Sequence, residues 1–165
     1  MCGSPTKPQD HKNTRLFCLF PTAPYPHPSY LCGPNQLPPF LPNQAPLIDV
    51  IIPAYNEEES IALVVNEIPP SWVRDIIVCN NNSKDNTAEV ARNAGAVVVD
   101  QPRPGYGSAC LKGMEYIAAR PLAEHPDIVV FLDGDHSDYP EQLPDLIAPI
   151  LNDEADMVIG SRALG

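Results

Sequence analysis

Five short apolar runs constrain this chain more than any other feature. Positions 47–53 read LIDVIIP, 75–80 DIIVCN, 96–100 AVVVD, 127–133 DIVVFLD and 155–161 ADMVIGS. Their apolar residues, many β-branched, are consecutive rather than alternating, so each run predicts a strand covered on both faces. The stretches between them carry helical signals. Ile61, Leu63, Val64, Val65 and Ile68 are followed by the stop Pro69-Pro70, and Asn56 with Glu59 three residues on predicts the cap of that helix. Asp85 predicts a cap for a second helix running to Ala94, with Gly95 just past its end. A third helix is expected from about Ser108 to Ala119. A fourth is expected from Tyr139 onward, shortened or kinked by Pro144 and Pro149. Strands alternating with helices specify an α/β fold: a Rossmann-like, mostly parallel sheet with helices on both faces and right-handed crossovers.

Residues 1–45 follow different rules. TAPYPHPSYLCGPNQLPPFLPNQAP is dense in proline, which removes backbone donors and fixes φ, so neither helix nor sheet propagates. A disordered or polyproline-like extension is expected over 1–45, and one α/β domain over 46–165. Composition alone also allows the extension to serve as a docking peptide for a proline-recognising module.

Ten Lys and Arg stand against 21 Asp and Glu, a formal charge of −11. That balance argues against non-specific binding to nucleic acid or an anionic bilayer, polyanions that such a chain repels at long range. The five cysteines (Cys2, Cys18, Cys32, Cys79, Cys110) form no C-x-x-C pair. Neither a disulfide framework nor a zinc site is expected, and a reducing compartment fits. No window approaches the ~20 apolar residues that cross a bilayer, and no secretory signal opens the chain. The expected location is cytoplasmic, or peripheral at the cytoplasmic face of a membrane.

In open parallel sheets, ligands bind beyond the carboxyl ends of the strands. Three polar clusters fall there: PAYNE (53–57), NNNSKD (80–85) and DGDHSD (133–138). Asp133 and Asp135 put two carboxylates on one turn, a donor set suited to a hard divalent cation such as Mg²⁺. The alternative for these acids is an exposed turn that caps the next helix. Tyr55 offers a flat face for a base. The amides of Asn80, Asn81 and Asn82 carry donors and acceptors for a base edge, and also suit turns. Arg103-Pro104-Gly105-Tyr106-Gly107-Ser108 opens a helix whose amino end can receive phosphate oxygens, without a G-x-G-x-x-G or G-K-[ST] pattern. No Ser/His/Asp or Cys/His arrangement appears. His136 reads as a bystander or outer-shell residue, and Cys79 and Cys110 as packed core thiols.

Taken in order, VIIPAYNEEESI, IIVCNNNSKDNT, RPGYGSA, VVFLDGDHSDYPEQL and ADMVIGSR resemble the nucleotide-sugar half of glycosyltransferase family 2, with the GT-A fold. Among its branches, the dolichyl- or polyprenyl-phosphate sugar transferases are the most similar. The resemblance spans about 48–165. It implies that Pro53, Tyr55 and Glu57 line the nucleotide pocket and that Asn81 stands at a base-reading position, often Asp. It implies that Asp133 and Asp135 form the metal-binding D-x-D, with Asp133 also on the donor, and that Arg162 lies near a phosphate. Ser137 falls where some relatives carry a further metal-side ligand. Asn80 and Asn81 both depart from the usual Asp, which leaves uridine and guanosine open as the base.

The implied activity is inverting, Mg²⁺- or Mn²⁺-dependent transfer of a sugar from a UDP- or GDP-sugar to a lipid phosphate, polyprenyl or dolichyl, or to another hydroxyl. Family members continue well past the G-S-R block. The resemblance therefore implies a donor-binding half, with the acceptor half and the catalytic base absent from this chain. The alternative is a non-catalytic nucleotide-sugar-binding module or an inactive fragment.

Overall fold

The computed structural model describes residues 15–16 and 45–161. The strands are β1 (Arg15–Leu16), β2 (Ile48–Ala54), β3 (Asp75–Asn80), β4 (Val97–Asp100) and β5 (Ile128–Phe131). The helices are α1 (Ile61–Glu67), α2 (Thr87–Asn93), α3 (Tyr106–Ala118) and α4 (Leu143–Leu151), with 3₁₀ turns at Leu122–Glu124 and Pro140–Gln142. The strands lie in the order β1-β5-β2-β3-β4, and every described pair is parallel. This is the Rossmann-like sheet that the apolar runs predict.

Side-chain alternation along the strands divides the core in two. Val50, Ile52, Ala54, Val78, Val130 and Leu132 pack on the face covered by Ile61 and Val64 of α1, Ala91 of α2, and Ile147 and Ile150 of α4. Ile51, Ile77, Cys79, Val129 and Phe131 meet Ala109 and Ile117 of α3 on the other. At Gly113, α3 comes so close to the sheet that a Cβ would sit 2.6 Å from Ile51 Cγ2 and 3.0 Å from Cys79 Sγ. Only glycine fits that approach. No described helix is long and apolar enough to cross a membrane.

Asp49 breaks the apolar run of β2 and is wholly buried. By alternation it shares the α3 face with Ile51, at the amino-terminal edge of the sheet. There its carboxylate receives Arg74 at 2.6 and 2.9 Å and Arg120, just past α3, at 2.9 Å. Arg120 also reaches Asp75 at 2.7 Å and lies over the Tyr116 ring, 5.0 Å from its centroid. Two carboxylates and two guanidiniums thus neutralise one another at the base of the fold. Breaking such a buried group is costly because it strands a desolvated charge.

Three expectations are corrected. The run 155–161 is not a strand: Met157 and Ile159 are exposed, and at Ile128 and Val129 the outer edge of β5 is paired with β1 instead. That pairing places Arg15 and Leu16 in the sheet, although 1–45 was expected to form neither helix nor sheet. Both residues precede the proline-dense stretch, so their backbone donors remain available. The rest of that expectation lies outside the described residues. Finally, Asn56 does not cap α1. The helix starts five residues later, at Ile61, after a turn at 57–60, and Asn56 has a left-handed φ of 57° with its side-chain oxygen accepting the Lys84 amide at 2.8 Å.

Candidate functional site

The carboxyl ends of β2, β3 and β5 and the amino end of α3 enclose a cleft of about 540 Å³. The structure brings Pro53, Tyr55, Glu57, Asn81, Asp133 and Asp135 to its walls. Arg162 lies outside the described residues.

The floor is built by stitching the β2 and β3 loops together through side chains. The Asn56 amide donates to Ser83 Oγ at 3.1 Å, the Glu57 amide to Thr87 Oγ1 at 2.8 Å, and the Glu58 amide to Asp85 Oδ2 at 3.2 Å. In return, Glu58 Oε2 accepts the Asn86 amide at 2.9 Å. Asp85 accepts both the hydroxyl and the amide of Thr87 at the start of α2. Slight burial works to raise the Asp85 pKa, but those bonds and the Glu58 amide outweigh it and hold the carboxyl below the ordinary value. These polar side chains therefore first hold the loops that carry Tyr55 and Glu57.

The D-G-D turn is held from two sides. Ser60 Oγ lies 2.8 Å from the Gly134 carbonyl and 2.9 Å from Glu57 Oε2, tying the entry of α1 to the turn. Asp135 Oδ1 accepts the Ser137 amide at 2.9 Å, and the Tyr106 hydroxyl donates to Asp133 Oδ1 at 2.9 Å. Asp133 is half-buried and Asp135 exposed. Gly134 is buried, and a Cβ there would already touch Ala54, the Pro53 carbonyl and Glu57, each at 3.5 Å. His136 turns away from the acids to pair with Glu67 at 2.8 Å.

Sequence reasoning did not single out Tyr106 or Ala109 as cleft residues, whereas Asn82, offered there as one of three amides, does line the cleft. The R-P-G-Y-G-S loop was the available signal, since it opens α3 on this edge; which of its side chains faces the acids required coordinates. Asn81 lines the cleft and is only 7% exposed. Its amide points at the 101–105 loop, donating to the Arg103 carbonyl at 2.7 Å and the Gln101 carbonyl at 3.2 Å.

The donor chemistry suits a hard cation: two carboxylates on one turn, with no thiolate and no imidazole among the described residues of the cleft wall. Among the described residues no group of three or more His, Cys, Asp or Glu gathers at one point. A cation held by Asp133 and Asp135 would need further oxygen ligands, from water or a bound anion.

Comparison with known proteins agrees with this geometry. A protein of Mycobacterium tuberculosis described as an uncharacterized glycosyltransferase is 43% identical over 115 residues, covering 70% of this chain and 48% of that protein. A dolichyl-phosphate hexose transferase of Haloferax volcanii is 36% identical over 114 residues, covering 68% of this chain and 46% of that protein. The chain thus spans about half the length of these curated relatives. Glucosyl-3-phosphoglycerate synthase from Mycobacterium tuberculosis, solved with Mn²⁺, UDP-glucose and phosphoglyceric acid, superposes with a TM-score of 0.56 at 35% identity. That match covers 66% of this chain and 40% of the synthase. The model of the family described as "Glycosyl transferase family 2" matches residues 49–165, and this chain belongs to that family.

Proposed function

We propose that the chain carries the donor-binding part of an inverting, metal-dependent glycosyltransferase. In the whole protein, the sugar passes from a UDP- or GDP-sugar to a lipid phosphate such as a dolichyl or polyprenyl phosphate, or to another hydroxyl. The observation that carries this reading is the meeting of Tyr55, Glu57, Asn81, Asp133 and Asp135 in one cleft from three separate strand ends. The relatives support the substrate class: one is named for dolichyl phosphate, and another was solved with Mn²⁺ and UDP-glucose.

The roles follow from the side chains. Tyr55, 56% exposed, offers its ring to the base, while Pro53 and Glu57 form the adjoining wall. Asn81 stands beside them, its amide engaged with the neighbouring loop. Asp133 and Asp135 hold Mg²⁺ or Mn²⁺, which when bound neutralises the diphosphate and improves it as a leaving group. The amino end of α3, at Gly105 and Tyr106, adds a partial positive charge on the opposite wall. Together these groups anchor the donor so that its anomeric carbon faces an acceptor while charge develops as in an oxocarbenium-like transition state. Arg162 is assigned to a phosphate by the family pattern. No described side chain is assigned as the base.

Isothermal titration with UDP- and GDP-sugars, with and without Mn²⁺, tests this. The expected result is binding of one of the two that strengthens with the cation. Failure of both to bind in either condition overturns the proposal.

A further inference from the structure

We propose that Asn81 and Tyr106 are positioning residues that pre-set the Asp133 carboxylate, Asn81 by hanging the 101–105 loop and Tyr106 by bonding the acid. The role of Tyr106 rests on the reading of Asp133 given above; the role of Asn81 as the support of the loop does not.

Asn81 uses nearly its whole hydrogen-bonding capacity on that loop. Both amide hydrogens go to backbone carbonyls, of Arg103 at 2.7 Å and Gln101 at 3.2 Å, and Oδ1 accepts the Gly105 amide at 2.8 Å. One lone pair is all that remains for a ligand. The loop closes on itself as well: Ser108 Oγ lies 2.7 Å from the Arg103 carbonyl, and Gln101 Nε2 donates to the Ser108 carbonyl at 3.0 Å. It ends at Gly105, whose φ of 123° bars any residue with a Cβ. The next residue is Tyr106, the first of α3, and its hydroxyl reaches Asp133 Oδ1 at 2.9 Å.

This chain explains why an amide stands at position 81. A carboxylate there can only accept, so an Asp would face the Gln101 and Arg103 carbonyls with a repelling charge and release the loop. With the loop held, the phenol fixes one oxygen of Asp133 before a cation arrives. A ligand orientation fixed in advance is one that need not be ordered on binding.

The test compares the parent chain with Asn81→Leu, Tyr106→Phe and the double variant, each checked for folding by circular dichroism. In Asn81→Leu, which has no acceptor for it, hydrogen exchange at the Gly105 amide should be about tenfold faster, as expected for one lost hydrogen bond. In Tyr106→Phe, the gain in UDP or GDP affinity produced by Mn²⁺ should fall about tenfold. The double variant should lose no more of that gain than the worse single one. Parental exchange at Gly105 in Asn81→Leu, or an undiminished Mn²⁺ gain in Tyr106→Phe, overturns the proposal. If the parent binds neither nucleotide, the function proposed above falls and the Tyr106 role with it, and the exchange rates still decide whether Asn81 holds the loop.

Discussion

Gly113 of α3 lies directly over Ile51 of β2, so close that a methyl group on the glycine would sit 2.6 Å from Ile51 Cγ2. Both atoms belong to the packed interior, so neither can swing into solvent. Gly113→Ala should therefore destabilise the fold by about 1–3 kcal/mol through overpacking, despite the better helix propensity of alanine. Urea denaturation measures this, and an unchanged midpoint would mean that α3 shifts outward freely.

Asp49 anchors the opposite end of the same helix through Arg120. Asp49→Ala should cost about 3–5 kcal/mol, because it leaves two guanidiniums facing a buried vacancy. Nucleotide affinity of the folded fraction should not change, since the site occupies the other edge of the sheet. A binding loss in fully folded protein would contradict that separation.

Burial, with a smaller push from Cys110, drives the Cys79 thiol from the ordinary 9.0 up to about 12. The folded state thus favours the neutral thiol. Its contribution to stability is complete below pH 9 and is lost as the pH rises from 9 toward 12. Denaturation midpoints taken from pH 8 to pH 11 should fall more steeply in the parent than in Cys79→Ala. Parallel slopes would show that the thiol does not couple to folding.

Asp135 is exposed, so Asp135→Asn should leave the denaturation midpoint within about 0.5 kcal/mol of the parent. The same change should lower nucleotide affinity in Mn²⁺ by at least ~10-fold, the scale on which even outer-shell partners of a metal act. Calorimetry reads both sides of the comparison. Equal affinity in the two proteins would return the acid to a role in capping the following turn.

The elements readable from sequence are those set by local pattern. DIIVCN predicts β3 to the residue, because an apolar β-branched run bounded by polar residues has one assignment in an α/β alternation. Gly95, with φ of 97°, likewise ends the second helix as expected. Where the reading failed, a distant partner decides. Asn56 carries a capping signature but spends its side chain on Lys84, 28 residues away. The run at 155–161 has strand composition, yet composition carries no information about which sheet edge is taken. Nor does Asp49 declare from sequence that it will meet an arginine 71 positions later. The strand-end rule brought the polar clusters to one edge. It left unresolved which amides face a ligand and which, like that of Asn81, face their own backbone.

The arrangement of charge has a kinetic consequence. Arginines cancel the acids at the amino-terminal edge, whereas among the described residues the wall of the cleft carries Glu57, Asp133 and Asp135 and no lysine or arginine. With −11 on the whole chain, an incoming polyphosphate meets a field that pushes it back before any contact forms. Dissolved salt shortens the reach of that field. Encounter should then quicken as ionic strength rises, the reverse of the behaviour of proteins that draw phosphates in with a basic surface.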